Sequence, residues 1–213
     1  MKKVYVIITQ THTGVAGVIR KFGKTKYNHA AISLDKDLSQ MYAFARVKHK
    51  SILLGRMVKE NMYRYSLGKY NYVGSAIYEL DITDEQYRQL SEKITSMFRE
   101  GDYLYNLFSV MMTPVMGGFS TYKSFSCVEF VLYLLKGMGY DIASPLYTYR
   151  PDDFTWLLRD HLIFEGNLLE FCPDDTVDSE YFSPLSVKDC LKSVGVPCRL
   201  LYRMIFKRKL GVV

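Results

Sequence analysis

Short apolar runs separated by polar turns occupy the first third of the chain, a pattern that predicts β-strands. Residues 4–9 form the first such run. Residues 29–35 and 41–46 form the next two, and they are close enough in sequence to pair as a hairpin across a turn at 35–37. A further strand is expected over residues 71–80. Residues 14–22, between the first two strands, are expected to form a short helix or a loop.

Two capping boxes mark the starts of helices in the middle of the chain. Thr83 and Gln86 form the first box, and apolar residues follow it at helical spacing. Ser126 and Glu129 form the second, which opens a strongly apolar helix that ends at the glycines near 137–139. The second helix is expected to be buried, with Cys127 as its first residue.

The last third of the chain gives weaker signals. Pro151 suits the first position of a third helix. Residues 162–171 predict a small hairpin that turns at 166–167, and one or two short helices are expected beyond it. We expect an α+β fold, with a domain over residues 1–170 and an extension over residues 171–213 packed on it.

The composition is that of a globular protein, with 213 residues, 48% hydrophobic and 23% charged. The net charge of +6 comes without zinc-finger spacing or a dense basic run with interleaved aromatics, which argues against nucleic-acid binding. The basic residues within 199–209 predict a solvated terminal segment. A more specific alternative is that this segment contacts a membrane surface. The chain has no apolar run long enough for a membrane helix. The first run turns polar too early for a signal peptide, so we expect a cytoplasmic protein.

The cysteines show neither a CxxC pair nor metal-ligand spacing with the histidines, so we expect reduced thiols and neither a metal nor an organic cofactor. They stand at positions 127, 172, 190 and 198. Cys127 alone has the context of a capped helix, where backbone amides and the helix dipole stabilise a thiolate. Those amides, including the backbone of Cys127, are also suited to an oxyanion hole.

A thiolate also needs an imidazolium brought close by the fold, and His29 and His12 both lie at strand ends where they can reach a cleft. A plainer interpretation competes with this one. A cysteine at the front of an apolar helix is usually a small buried filler, and either histidine is accounted for as a hydrogen-bonded structural residue. The residues alone leave both interpretations open.

Two segments resemble the NlpC/P60 papain-like superfamily over roughly residues 3–165. Residues 27–34 with 41–46 are similar to its histidine hairpin, and residues 125–131 are similar to its cysteine helix. His29 precedes Cys127, an order that resembles the circularly permuted branch of YiiX-like hydrolases and lecithin:retinol acyltransferase-like proteins. The resemblance implies a papain-like fold, in which a twisted antiparallel sheet packs on the helix that carries the nucleophilic Cys127, with His29 as its acid–base partner.

The sequence departs from the family at two places. The family's next strand often supplies His, Asn or Gln to orient the imidazole, whereas Tyr42 stands near that position. Tyr42 is the first choice for this third residue, and Asp35, on the same strand face as His29, is the second. Relatives often carry Ser-Gln after the cysteine, whereas Val128 and Glu129 follow here. A carboxylate at Glu129 opposes activation of the thiol.

The resemblance implies a cysteine hydrolase, of peptidase or amidase type, that cleaves amide or ester bonds through a thioester. Its substrate would be a peptide, an amide or an acyl lipid. The alternatives are a thiol acyltransferase or lipid esterase of the same fold, or a non-catalytic binding module. The sequence specifies neither the substrate nor the oligomeric state.

Overall fold

The structure is a computed structural model that describes residues 1–12, 25–172 and 178–207. Its fold is α+β: an open, mostly antiparallel eight-stranded sheet with several helices. The region at 14–22, expected to form a short helix or a loop, lies outside the described residues.

The strands are β1 (Lys2–Thr9), β2 (His29–Ser33), β3 (Met41–Arg46), β4 (Gly55–Glu60), β5 (Gly74–Ile82), β6 (Leu104–Tyr105), β7 (Ser124–Phe125) and β8 (Leu162–Asn167). Their order in the sheet is β7-β6-β4-β3-β2-β1-β5-β8, and only the short β6–β7 pair is parallel. The strands expected at 4–9, 29–35 and 41–46 are confirmed. The strand expected at 71–80 begins later and ends later, at Gly74–Ile82.

The helices are α1 (Met62–Ser66), α2 (Asp84–Glu100), α3 (Leu107–Met116), α4 (Cys127–Gly137), α5 (Phe154–Leu157), α6 (Leu168–Phe171), α7 (Ser179–Phe182) and α8 (Val187–Phe206). Both predicted capping boxes are confirmed: Thr83 with Gln86 opens α2, and Ser126 with Glu129 opens α4. In each box the two side chains accept hydrogen bonds from backbone amides at the start of the same helix. Because these residues are close in sequence, local sequence encodes the box.

The core lies on both faces of the sheet. β1 is buried on both sides from Val4 onward, so it reads as a continuous apolar run. On one face α4 packs against β2 and β3, with Phe130 against Phe44. On the other face Met41 and Tyr65 belong to a second buried cluster. The sheet is therefore the central layer, and α4 holds Cys127 against the β2 side of it.

The last third gave one confirmed expectation and two wrong ones. A helical segment does begin at Pro151, as a 3-10 turn at Pro151–Asp153 that continues directly into the four-residue α5. The hairpin expected at 162–171 does not form. Residues 162–167 are β8, which pairs with β5, and Asn167 caps α6 through the amide of Leu169. Beyond it, α8 has 20 residues, with Pro197 inside it, where one or two short helices were expected.

Candidate functional site

Cys127 is the first residue of α4. The cap leaves the helix N-terminus open: the amide of Glu129 donates to Ser126 Oγ at 3.1 Å, and the amide of Ser126 donates to Glu129 Oε2 at 2.8 Å. The amides of Cys127 and Val128 have no acceptor within the helix, as in any first turn. The Cys127 side chain is only 6% exposed. A buried thiol therefore lies beside two backbone donors that the helix itself does not satisfy.

His29 is the first residue of β2, opposite Thr9 of β1. Its Nε2 lies 2.8 Å from Glu60 Oε2, and Cys127 is close enough to help raise the pKa of the ring. Because an imidazole has two nitrogens and Glu60 takes Nε2, Nδ1 is the one left for the thiol. The structure thus brings Cys127 and His29 together, the pair expected from the sequence.

Glu60 is the buried residue on the far side of His29, and the sequence analysis did not identify it. It ends β4, directly before Asn61, which caps α1 by accepting from the amide of Arg64. That short helix turns Tyr65 back, so that its hydroxyl donates to Glu60 and its ring lies 5.7 Å from the His29 ring. Glu60 is thus fixed by two donors. The sequence signal that could have identified Glu60 is an acidic residue at the end of a strand, directly before the asparagine that caps the next helix.

Burial and charge act in opposite directions on this cluster. Burial lowers the pKa of His29, but the Glu60 carboxylate and the contact with Cys127 outweigh it and raise the pKa to about 10. Burial raises the pKa of Glu60, but the His29 charge and the hydrogen bonds from His29 and Tyr65 bring it below its usual value. At neutral pH the arrangement is an imidazolium at His29 paired with a carboxylate at Glu60.

Neither residue expected to orient His29 is the one that does so. β2 and β3 pair at Ile32–Tyr42 and Ser33–Met41, and the ladder ends there, so Tyr42 lies opposite Ile32 and packs against Phe98. The ladder stops short of His29, which leaves room beside its ring for the Glu60 side chain.

Asp35, the second choice, lies in the β2–β3 turn. It accepts hydrogen bonds from Ser33 Oγ at 2.9 Å, Ser39 Oγ at 2.7 Å and the Gln40 amide at 3.0 Å. These bonds hold its carboxylate in the turn, so it serves the hairpin rather than the imidazole.

His12, expected to line the cleft, lies away from it. Its Nε2 hydrogen-bonds the Tyr72 carbonyl at 2.7 Å, and its ring stacks on Tyr70 with centroids 4.1 Å apart. It lines neither of the two pockets that flank the Cys127–His29 pair. Its described contacts are structural.

Two pockets meet at the pair and share Asn28 and Tyr105. The first, here called the polar pocket, has an open volume of about 680 Å³. It is lined by Thr11, Asn28, His29, Phe44, Ala45, Arg46, Ile52, Glu60, Arg64, Tyr65, Tyr105, Leu107 and Tyr181. The second, here called the thiol pocket, is similar in size at about 660 Å³ and contains Cys127 with apolar residues such as Val110 and Val128. Cys127 and His29 therefore line different pockets that share a wall.

The C-terminal segment contributes to this region. Tyr181 of α7 closes one side of the polar pocket. The basic tail is less solvated than expected, since Arg203 is buried and bonds Asp102 Oδ1 at 2.7 Å, an acceptor it shares with Arg199. Two of its charges are therefore used within the fold.

Three further findings concern only residues 1–12, 25–172 and 178–207. Cys127, Cys190 and Cys198 have free thiols. No group of three or more His, Cys, Asp or Glu side chains there is placed to hold a metal ion. No helix in the described parts has the length and apolar character needed to cross a membrane.

Comparison with known proteins adds no assignment. No family model matches the chain, and neither curated proteins nor solved structures gave a significant match.

Glu129, two residues after Cys127, gives a prediction about the pH dependence of stability. Burial raises its pKa to about 7, against the hydrogen bonds from Ser126. A carboxyl whose pKa rises on folding holds its proton more tightly in the folded state, so its contribution to stability falls between about pH 4.5 and 7. Glu129→Gln keeps an oxygen that accepts the hydrogen bond of the cap. Because glutamine does not titrate, the variant does not show this loss of stability.

The free energy of unfolding of Glu129→Gln, relative to wild type, should therefore increase by on the order of 2 kcal/mol between pH 5 and pH 8. Urea unfolding at both pH values measures it. The exposed Glu92→Gln is the matched control and should show a constant difference. A constant difference for Glu129→Gln as well would refute the buried, proton-binding carboxyl.

Proposed function

We propose that the protein is a cysteine hydrolase of amide or ester bonds, with Cys127 as nucleophile, His29 as acid–base catalyst and Glu60 as the residue that orients His29. The observation that carries the proposal is the position of His29, with its Nε2 2.8 Å from Glu60 and its pKa raised by Glu60 and by the nearby Cys127 at the N-terminus of α4. A thiol, an imidazole and an orienting acceptor in this order form the arrangement used for nucleophilic catalysis.

In this mechanism the Cys127 thiolate attacks the substrate carbonyl carbon, and the oxyanion that forms is bound by the free amides at the start of α4. The His29 imidazolium then donates its proton to the leaving amine or alcohol, and the carbon–nitrogen or carbon–oxygen bond breaks. A thioester remains on Cys127. Neutral His29 next takes a proton from water, whose oxygen attacks the thioester and releases the carboxylic acid and the thiolate.

Glu60 stays ionised throughout. Its bond to Nε2 fixes the ring orientation and the tautomer that presents Nδ1 to Cys127. Tyr65 donates to the same Glu60 oxygen and restrains it. Cys127 and His29 thus take the reacting positions, and Glu60 and Tyr65 position them.

The similarity to the permuted NlpC/P60 branch supports the same proposal. The antiparallel sheet, the α4 helix packed on β2 and β3, and the order of His29 before Cys127 all agree with a permuted papain-like fold. Glu60 takes the role that His, Asn or Gln has in relatives. A carboxylate is stronger in this role, because it stabilises the imidazolium by charge as well as by a hydrogen bond.

An acyltransferase or lipid esterase is the second candidate, and the thiol pocket favours it. Val110, Val128 and Pro151 line that pocket beside Cys127, a setting suited to an apolar acyl group. The thioester step is common to both candidates, and they differ in whether water or another nucleophile accepts the acyl group. A non-catalytic binding module would form no thioester.

The experiment uses p-nitrophenyl acetate as a small acyl donor. Acid-quenched protein is digested and mapped by mass spectrometry, with the exposed Cys190 and Cys198 replaced by serine to reduce background. We expect acetyl on Cys127, no acetyl at that position in Cys127→Ala, and steady release of nitrophenol. Added glycinamide that takes most of the acetyl group would identify a transferase. An unmodified Cys127 would contradict catalysis.

A further inference from the structure

The polar pocket holds more positive than negative charge. His29 is matched by Glu60, 2.8 Å away, and Arg64 pairs with Asp178 at 3.5 Å. Arg46, at the end of β3, lies in the same pocket. Within the parts of the chain that the structure describes, no carboxylate lies within ion-pair distance of Arg46. Among the described residues, the Arg46 guanidinium therefore has no carboxylate partner in this pocket.

The contacts of Arg46 hold its guanidinium in place and leave most of its donors free. One Nη donates to the His49 carbonyl at 3.0 Å, and the other lies 3.4 Å from the Tyr181 hydroxyl. Both acceptors are neutral, and a guanidinium has five N–H donors. An arginine positioned this way keeps a planar donor face for a two-oxygen anion.

Arg64 supplies a second unsatisfied donor. Its guanidinium donates to the Arg46 carbonyl and so fixes the end of β3. Its Nε is buried without a hydrogen-bond partner, although unpaired buried donors are costly and rare in folded proteins. The lining of the polar pocket thus combines the positive charge of Arg46 with Arg64, a residue that keeps one unpaired buried donor.

We infer that the polar pocket binds an anionic group, a carboxylate or a phosphoryl group, carried by the substrate next to the bond that Cys127 attacks. The inference rests on the proposed function, because it takes Cys127 as the nucleophile. The anionic group would then lie on the other side of Asn28 and Tyr105, the two residues that both pockets share. Phe44, Ile52 and Leu107 form apolar parts of the same lining, so the anion is attached to an organic body. Arg46 is the specificity-determining residue.

The test compares three alkylating probes that differ in their terminal group: N-iodoacetylglycine, its neutral glycinamide analogue, and N-iodoacetyl-aminomethylphosphonate. The measured quantity is the ratio of the rates at which the charged and neutral probes modify Cys127. In wild type we expect the better anion to react about tenfold faster than the amide, as one charge-assisted contact implies. The preferred anion separates a carboxylate substrate from a phosphoryl substrate.

Three variants identify the source of the selectivity. Arg46→Gln should bring the ratio close to one, and Arg46→Lys, which keeps the charge, should retain part of it. Arg56→Gln is the matched control. It removes an exposed arginine on β4 that does not line the polar pocket, and the ratio should remain as in wild type.

The outcomes separate the inference from the proposed function. If the neutral probe does not modify Cys127 in wild type, the nucleophile itself is wrong. If Cys127 reacts but wild type and Arg46→Gln share one ratio, the anion site is overturned and the nucleophile stands.

Discussion

Replacing His29 with alanine is expected to slow the reaction of Cys127 with iodoacetamide about 100-fold at pH 6.5, the scale of a lost acid–base partner. Thiolate is the reactive form of cysteine, and His29, whose pKa Cys127 helps to raise, is the positive group that would stabilise it. Without it, only the helix N-terminus remains to stabilise negative charge on sulfur. Stopped reactions with peptide mapping give the rate for Cys127 alone.

The matched control is His12→Ala. His12 is also a histidine near a strand end, but it contacts Tyr70 and Tyr72 and lines neither pocket at the site. Its replacement should leave the Cys127 rate within about twofold of wild type. A His29→Ala protein that remains folded and reacts as fast as wild type would show that the two residues are neighbours without chemistry.

Replacing Glu60 with glutamine should change the protonation state of His29. The Glu60 charge is the largest influence that raises the His29 pKa to about 10, and burial opposes it. We therefore expect ring-nitrogen NMR at pH 8 to show an imidazolium in wild type and a neutral ring in Glu60→Gln. Tyr65→Phe, which keeps the Glu60 charge and removes one of its donors, should leave His29 protonated.

The same substitution has a definite sign in stability. The folded pKa of His29 is raised above 6.5, so its pairing with Glu60 stabilises the fold fully below that pH and is lost as pH rises toward 10. The Glu60 pKa is lowered from 4.5, so its contribution is lost as pH falls below that value. Glu60→Gln should thus lower the free energy of unfolding most near pH 6, by about 3 kcal/mol, and by less at pH 9. Equal urea midpoints for wild type and Glu60→Gln at pH 6 would contradict the ion pair.

Local signals account for the elements that the sequence predicted well. The Thr83–Gln86 and Ser126–Glu129 boxes lie within single helical turns, so the residues that form them are adjacent in the chain. β1 to β3 follow from apolar runs bounded by turns. The position of Cys127 at a helix start was readable for the same reason.

Glu60 could not be identified in this way, because its partner is determined by the fold. β4 carries Arg56, Lys59 and Glu60 among its six residues, a composition that hides a strand in which most positions are buried. The contact between Glu60 and His29 depends on where the β2–β3 ladder ends, which no local pattern specifies. Tyr42 was chosen by analogy with the family, and the ladder places it opposite Ile32 instead.

The C-terminal elements were underestimated for a related reason. Pro197 lies inside α8, and a proline normally argues against a continuous helix. Buried contacts override that preference: Leu200 and Arg203 lie on the packed side of the helix, and Arg203 donates to the Lys123 carbonyl at 2.9 Å. Tertiary packing thus extends a helix that local sequence would have ended.

The most direct test of the central claim compares cysteines within one molecule. Cys190 and Cys198 are exposed on α8, and Cys127 is only 6% exposed. Exposure alone therefore predicts that the two thiols on α8 react first. An activated nucleophile in an open pocket predicts the reverse order.

The measurement is limited alkylation of the wild-type protein with iodoacetamide at pH 6, followed by peptide mapping of all four cysteines. The proposed Cys127–His29–Glu60 site predicts that Cys127 is modified before Cys190 and Cys198, and that the order is lost in urea. Modification of the exposed thiols first, with Cys127 protected until the protein unfolds, would contradict the site and leave Cys127 as a buried core residue.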